Sequence, residues 1–83
     1  MSLSTPDDFF VPKRDVYNKD DLRKYYAEAM DACLKHHRRL TYGNPWIKAK
    51  ADALLDRQKR AIYKWDREQR GFMSRMYGDD YFS

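Results

Sequence analysis

Apolar positions recur every three or four residues in two separate stretches of the chain, and each stretch opens on a helix-starting residue. In the first, Leu22, Tyr26, Ala29, Cys33, His36 and Leu40 follow one another at spacings of four, three, four, three and four. That is the seam of a helix packed nearly antiparallel against another. Asn18 precedes it as a capping side chain, and Asp20 and Asp21 put negative charge in the first turn, where the helix dipole favours it. The predicted helix runs over 18–42.

The second stretch begins at Asn44-Pro45, an amide cap followed by a proline whose missing N–H costs nothing in a first turn. Ile47, Ala51, Leu54, Ala61, Trp65, Phe72 and Met76 define one face, interrupted by Gln58 and Glu68 and widened by Leu55, Ile62 and Met73. A long helix over 44–77 is predicted. Gly71 is its weak point, a place for it to stop or bend, because glycine within a helix costs roughly 1 kcal/mol against alanine.

So short a connection, Thr41 to Pro45, makes the two helices antiparallel neighbours. Residues 1–17 hold Pro6 and Pro12 without a helical period and read as an extended arm. Residues 78–83 read as a short tail. The predicted fold is therefore all-α, one small domain: an antiparallel helical hairpin of unequal helices with an extended N-terminal arm and a short C-terminal tail. Leu22, Tyr26, Leu54, Leu55, Ile62 and Trp65 are expected to form its seam.

Composition changes this picture in one respect. The chain has 83 residues, 42% hydrophobic and 36% charged, so two helices use up nearly all the apolar material. A domain this small buries a low fraction of its surface, and a partner surface is expected to complete the core. Aromatics, at 16%, are plentiful for so polar a chain and suit interfaces. Phe9 and Phe10 in the arm are costly to leave in water, so the arm is expected to lie across the helices or across a neighbouring molecule. The far end of the long helix, with Phe72, Met73 and Met76, outruns what the shorter helix covers. The end of the chain echoes the arm, since Asp7-Asp8-Phe9-Phe10 resembles Asp79-Asp80-Tyr81-Phe82. Phe9, Phe10, Phe72, Met76, Tyr81 and Phe82 are accordingly the expected partner contacts.

Charge is unevenly placed. Residues 35–77 carry twelve Lys or Arg against four acids, whereas both flanks are net acidic and the total is only +4. Such a centre is suited to nucleic-acid phosphates, an acidic protein or anionic lipid, or to pairing with its own acidic ends or those of a neighbour. The candidate nucleic-acid contacts are Lys35, Arg38, Arg39, Lys59 and Arg60, with Tyr42, Trp46, Tyr63 and Trp65 available for stacking. The turn between the helices does not match the tight spacing of helix-turn-helix readers.

Chemistry of other kinds finds little support. Cys33, His36 and His37 share one helical turn, but the chain offers no second Cys or further His, so a zinc site would need an Asp or symmetry-related copies. A Cys33 nucleophile beside His37 lacks an orienting third residue. All three glycines are isolated, so no phosphate-cradling loop exists. The chain is expected to be non-enzymatic, without metal or cofactor, and its acids, together with a first helix able to cover the apolar face, argue against a membrane surface. A single cysteine and the absence of a signal-like start point to an intracellular, soluble protein, cytoplasmic or part of an intracellular or virion assembly. The expected function is that of a protein-binding subunit, an accessory or structural component of a larger assembly or a small regulator docking on a larger protein, or a homo-oligomer. Nucleic-acid binding through the basic centre is the alternative.

Overall fold

A computed structural model describes residues 8–82, and among them there are two long helices and no strands. Helix α1 spans Lys19–Thr41 and helix α2 spans Lys48–Tyr77. They pack side by side in opposite directions as a rod measuring 48 × 20 × 16 Å. The unequal hairpin expected from the spacing is what forms.

The start of α1 follows its local signals. Asn18 is extended, and its side-chain oxygen accepts the N–H of Asp21 at 2.8 Å, satisfying one of the free amides of the first turn. Arg38 and Arg39 occupy the last turn, where cations meet the carbonyl end of the dipole. Gly43, at φ +75°, then turns the chain in a conformation that side chains with a Cβ rarely adopt.

Helix α2 departs from expectation at its start and at Gly71. Asn44 makes no side-chain cap; its amide donates to the Tyr42 carbonyl at 3.4 Å, and its own carbonyl accepts the N–H of Ile47 at 3.2 Å. Pro45–Ile47 wind as a tighter 3-10 turn, and the α-helix starts only at Lys48. At Gly71 the helix neither stops nor bends out of register. The helix, 30 residues in all, runs through it to Tyr77, with buried Trp65 and Met73 on either side of the glycine. Gly78, at φ +101°, ends it with its N–H on the Ser74 carbonyl.

The core is thin and falls into two clusters. One joins Ala29 and Cys33 of α1 to Ile62 of α2, with Phe10, Val11, Tyr26, Met30 and Leu55 packed around them. Small residues at 29 and 33 let the helix axes approach. The other joins Val16, Leu22, Trp65 and Met73, flanked by Val11, Tyr25, Tyr26, Tyr81 and Phe82. Of the expected seam, Leu22, Leu54, Ile62 and Trp65 are buried and Tyr26 and Leu55 half-buried. The buried line of α2 runs Ala51, Leu54, Gln58, Ile62, Trp65 and Met73, so it includes Gln58, which polarity alone marks as an interruption.

Neither flanking segment stands apart from the hairpin. Residues 8–10 form a turn closed by the Val11 N–H on the Asp8 carbonyl, and residues 11–17 cross the helices without regular structure, burying Val16. The rest of the expected arm, with Asp7 of the echoed motif, lies outside the described residues. The tail is a second 3-10 turn, Asp79–Phe82, folded back onto the end of α2.

Candidate functional site

The antiparallel pairing sets the start of α1 beside the end of α2, and α1 is the shorter helix by seven residues. The last turns of α2 therefore run past it. Leu22 of α1, Val16 before it and the returning tail cover one side of them. Tyr77 and Tyr81 stack at 4.7 Å, Tyr81 meets Phe82 edge-on at 5.0 Å, and Arg70 lies over the Phe82 ring at 5.2 Å. The Met73 side of the helix is thus closed, and Met73 is 1% exposed. The expectation that Met73 shares the overhang is corrected: it belongs to a core cluster with Val16 and with Leu22 of α1, against which Tyr81 and Phe82 of the tail also pack.

Phe72 and Met76 lie one turn apart toward the other edge of the helix and remain 54% and 62% exposed. Up the same side of α2 the surface continues into a shallow depression of about 340 Å³ lined by Asp8, Val11, Ala61, Lys64, Trp65 and Glu68. Lys64 and Arg75 edge this strip at helical spacing, with Glu68 between them. Among the described residues neither cation forms an ion pair.

The six expected partner contacts separate into two groups. Phe9, Phe72 and Met76 are exposed, whereas Phe10, Tyr81 and Phe82 are half-buried against the hairpin itself. Phe9 packs edge-on to Phe10 at 4.9 Å and faces a groove along α1 with Tyr25, Glu28 and Ala32. It is not part of the Phe72 strip. Phe10 also meets the His36 ring at 5.4 Å.

The basic candidates are likewise divided. Lys35, Arg38 and Arg39 line a common depression with Tyr42 at the turn end of the rod. Lys59 is half-buried on α2, where its charge partly opposes the upward push that burial gives the Cys33 thiol. Arg60 is paired with Asp56 at 3.1 Å. Of the stacking candidates, Tyr42 and Trp46 are open, Tyr63 is half-exposed against Tyr26, and Trp65 belongs to the core.

Cys33 and the two histidines, neighbours on the helix, point to three different environments. The Cys33 thiol is fully buried and donates to the Met30 carbonyl at 3.2 Å. His36 is half-buried with Nδ1 unpartnered. His37 Nε2 reaches across to Asp52 Oδ1 on α2 at 2.6 Å, and Lys48 holds the other oxygen of that carboxylate at 2.8 Å. These contacts, the Lys48 hydrogen bond first and the His37 one second, lower the pKa of Asp52 from the ordinary carboxylate value. Among the described residues no group of three His, Cys, Asp or Glu is placed to hold a metal ion, and no helix is long and apolar enough to cross a membrane.

The cross-helix His37–Asp52 contact escaped the sequence reading, since only the Lys48 to Asp52 spacing is local. No family model, curated protein or solved structure matches this chain. The geometry of its surfaces therefore carries the functional argument.

Proposed function

We propose that the chain is a protein-binding subunit, and that the open strip of α2 ending at Phe72 and Met76 docks an amphipathic helix of a different protein, apolar on one face and acidic beside it. The observation that carries this reading is the pair Phe72 and Met76, left in water on α2 beside Trp65 and Met73, whose core cluster is flanked by Val11 of the arm and Tyr81 and Phe82 of the tail. Burying two such side chains is worth roughly 1.5–3 kcal/mol each. Methionine adapts its shape to a partner at low cost.

From Ala61 to Met76 the strip follows about four helical turns, roughly 22 Å, along an unbroken helix. Its exposed apolar side chains are Phe72 and Met76, one turn apart, while Ala61 and Trp65 line the depression above them and Glu68 interrupts the line; a helix laid along α2 would meet them in succession. Lys64 and Arg75 along its edge select for carboxylates on the occupant. A second copy is disfavoured by the same charges, because a self-complementary interface on this strip would bring its cations close to their own counterparts.

A labelled amphipathic helical peptide with leucine on one face and glutamate flanking it tests the reading. It is expected to bind, to lose at least roughly tenfold in affinity against a Phe72→Ala, Met76→Ala double variant, and to be replaced by no binding when its glutamates are changed to lysines. Equal binding of both peptides, or binding that ignores the double variant, would overturn the proposal. Dimerisation that the double variant abolishes would assign the strip to a second copy instead.

A further inference from the structure

The opposite end of the rod carries a surface of different chemistry. Residues 35–50 contain five Lys or Arg and no acid. Lys35, Arg38, Arg39 and Tyr42 occupy positions i, i+3, i+4 and i+7, one face of the end of α1, and together line a depression of about 350 Å³. Tyr42 is 85% exposed and Trp46, in the following 3-10 turn, 76% exposed, more than any other large apolar side chain described. Neither ring takes part in either core cluster.

The helix dipole accounts for cations in a last turn, but it gives no reason to place the bare Tyr42 ring among them or to leave Trp46 open in the turn that follows. Nor is the charge consumed internally. Lys35 pairs with Asp31 and Lys48 with Asp52, yet Arg38, Arg39 and Lys50 make no ion pair among the described residues. Cations alone would take any polyanion; cations interleaved with open rings take one whose flat faces are also exposed. Bases of an unpaired strand offer those faces, whereas bases in a duplex are already stacked.

We infer that the turn end of the hairpin is a single-strand nucleic-acid site, in which Arg38, Arg39 and Lys35 meet successive phosphates while Tyr42 and Trp46 each stack on a base. From Lys35 to Tyr42 the face extends roughly 10 Å, enough for about three phosphates of one strand. The site is short, so its affinity alone is modest and its salt dependence shallow. It sits at the other end of the rod from Phe72 and Met76, so both surfaces can be engaged at once.

Fluorescence anisotropy of a labelled oligothymidylate, of its duplex with oligoadenylate, and co-sedimentation with phosphatidylserine vesicles test the site on the full chain. The single strand is expected to bind at low salt with a log–log salt slope of about −2, the value for three phosphates. Tyr42→Ala and Trp46→Ala are each expected to weaken it roughly tenfold, the loss of one stacked base. Arg38→Glu with Arg39→Glu should abolish binding while leaving the far-UV dichroism unchanged. The inference is overturned if the oligothymidylate does not bind, if the duplex binds as well and both aromatic variants are silent, or if the vesicles are preferred. The Phe72→Ala, Met76→Ala variant should bind the oligonucleotide normally, so failure at one end of the rod is distinguishable from failure at the other.

Discussion

The phenolic oxygen of Tyr81 accepts the backbone N–H of Lys19 at 2.9 Å, joining residues 62 positions apart. Lys19 is the first residue of α1, so its amide has no acceptor within the helix. Beside it the Tyr77 hydroxyl donates to the Tyr17 carbonyl at 2.8 Å, and the Lys19 ammonium lies 5.7 Å from the centre of the Tyr81 ring. The end of the chain thus caps the start of the first helix, completing what Asn18 begins.

Two substitutions separate the hydroxyl of Tyr81 from its ring. Tyr81→Phe removes one exposed hydrogen bond and is expected to cost about 0.5–1 kcal/mol. Tyr81→Ala also removes the stacking on Tyr77 and part of the cover over Leu22 and Met73, so a loss of roughly 2–4 kcal/mol is expected. Urea unfolding of both variants measures the difference. Equal losses would mean that the ring contributes nothing to the clasp.

Ile62 and Met76 lie on one helix at opposite extremes of burial, 0% and 62% exposed. Ile62→Ala opens a cavity between Ala29 and Cys33 and is expected to cost about 2–5 kcal/mol. Met76→Ala is expected to stay within about 0.5 kcal/mol. In a domain of this size each kcal/mol moves the melting temperature by about 4–8 °C, so thermal melts followed by circular dichroism resolve the two. A large loss at Met76 would show that its side chain is covered in the isolated chain.

What could be read from the sequence was what depends on neighbours along the chain. Asn18 before Asp20 and Asp21, and the spacing from Leu22 to Leu40, specify α1 without knowledge of anything distant. Lys35, Arg38, Arg39 and Tyr42 share a face for the same reason. The choice between Phe72 and Met73 was not legible, because it turns on where α1 sets Leu22, where the preceding segment sets Val16 and where a tail with no periodicity folds back. The same return turns Tyr81 and Phe82 inward. Lys59 and Arg60 carry the right charge, but burial near Cys33 and pairing with Asp56 separate them from the basic turn. Asn44 illustrates a different limit: a good capping residue before proline is overridden when the next residues wind as a 3-10 turn.

Gln58 occupies a core position, 1% exposed, with its side-chain nitrogen unpartnered. An unmade hydrogen bond from a buried donor costs about 1–3 kcal/mol, more than a mutational change between similar shapes. Methionine has nearly the same length and flexibility without the polar group. Gln58→Met is therefore expected to raise stability by about 1 kcal/mol, read as a higher midpoint in urea with an unchanged slope. A lower midpoint would show that the amide is satisfied in solution, by an ordered water or by a partner molecule.

Asp52 joins the helices near the turn, with His37 on α1 and Lys48 on α2 both bonded to its carboxylate. Since these contacts lower its pKa in the folded chain, the folded state binds fewer protons than the unfolded one as the pH passes through the carboxylate range. The contribution is present above the ordinary carboxylate value of about 4 and is lost as the pH falls through the lower, folded value. Asp52→Asn removes the charge at nearly constant shape. Its melting temperature should lie below that of the parent chain at neutral pH and converge with it under strong acid, the gap closing below about pH 4. Because the carboxylate is 44% exposed, added salt should narrow the gap at neutral pH as well. A gap that persisted unchanged into strong acid would show that Asp52 acts through packing rather than charge.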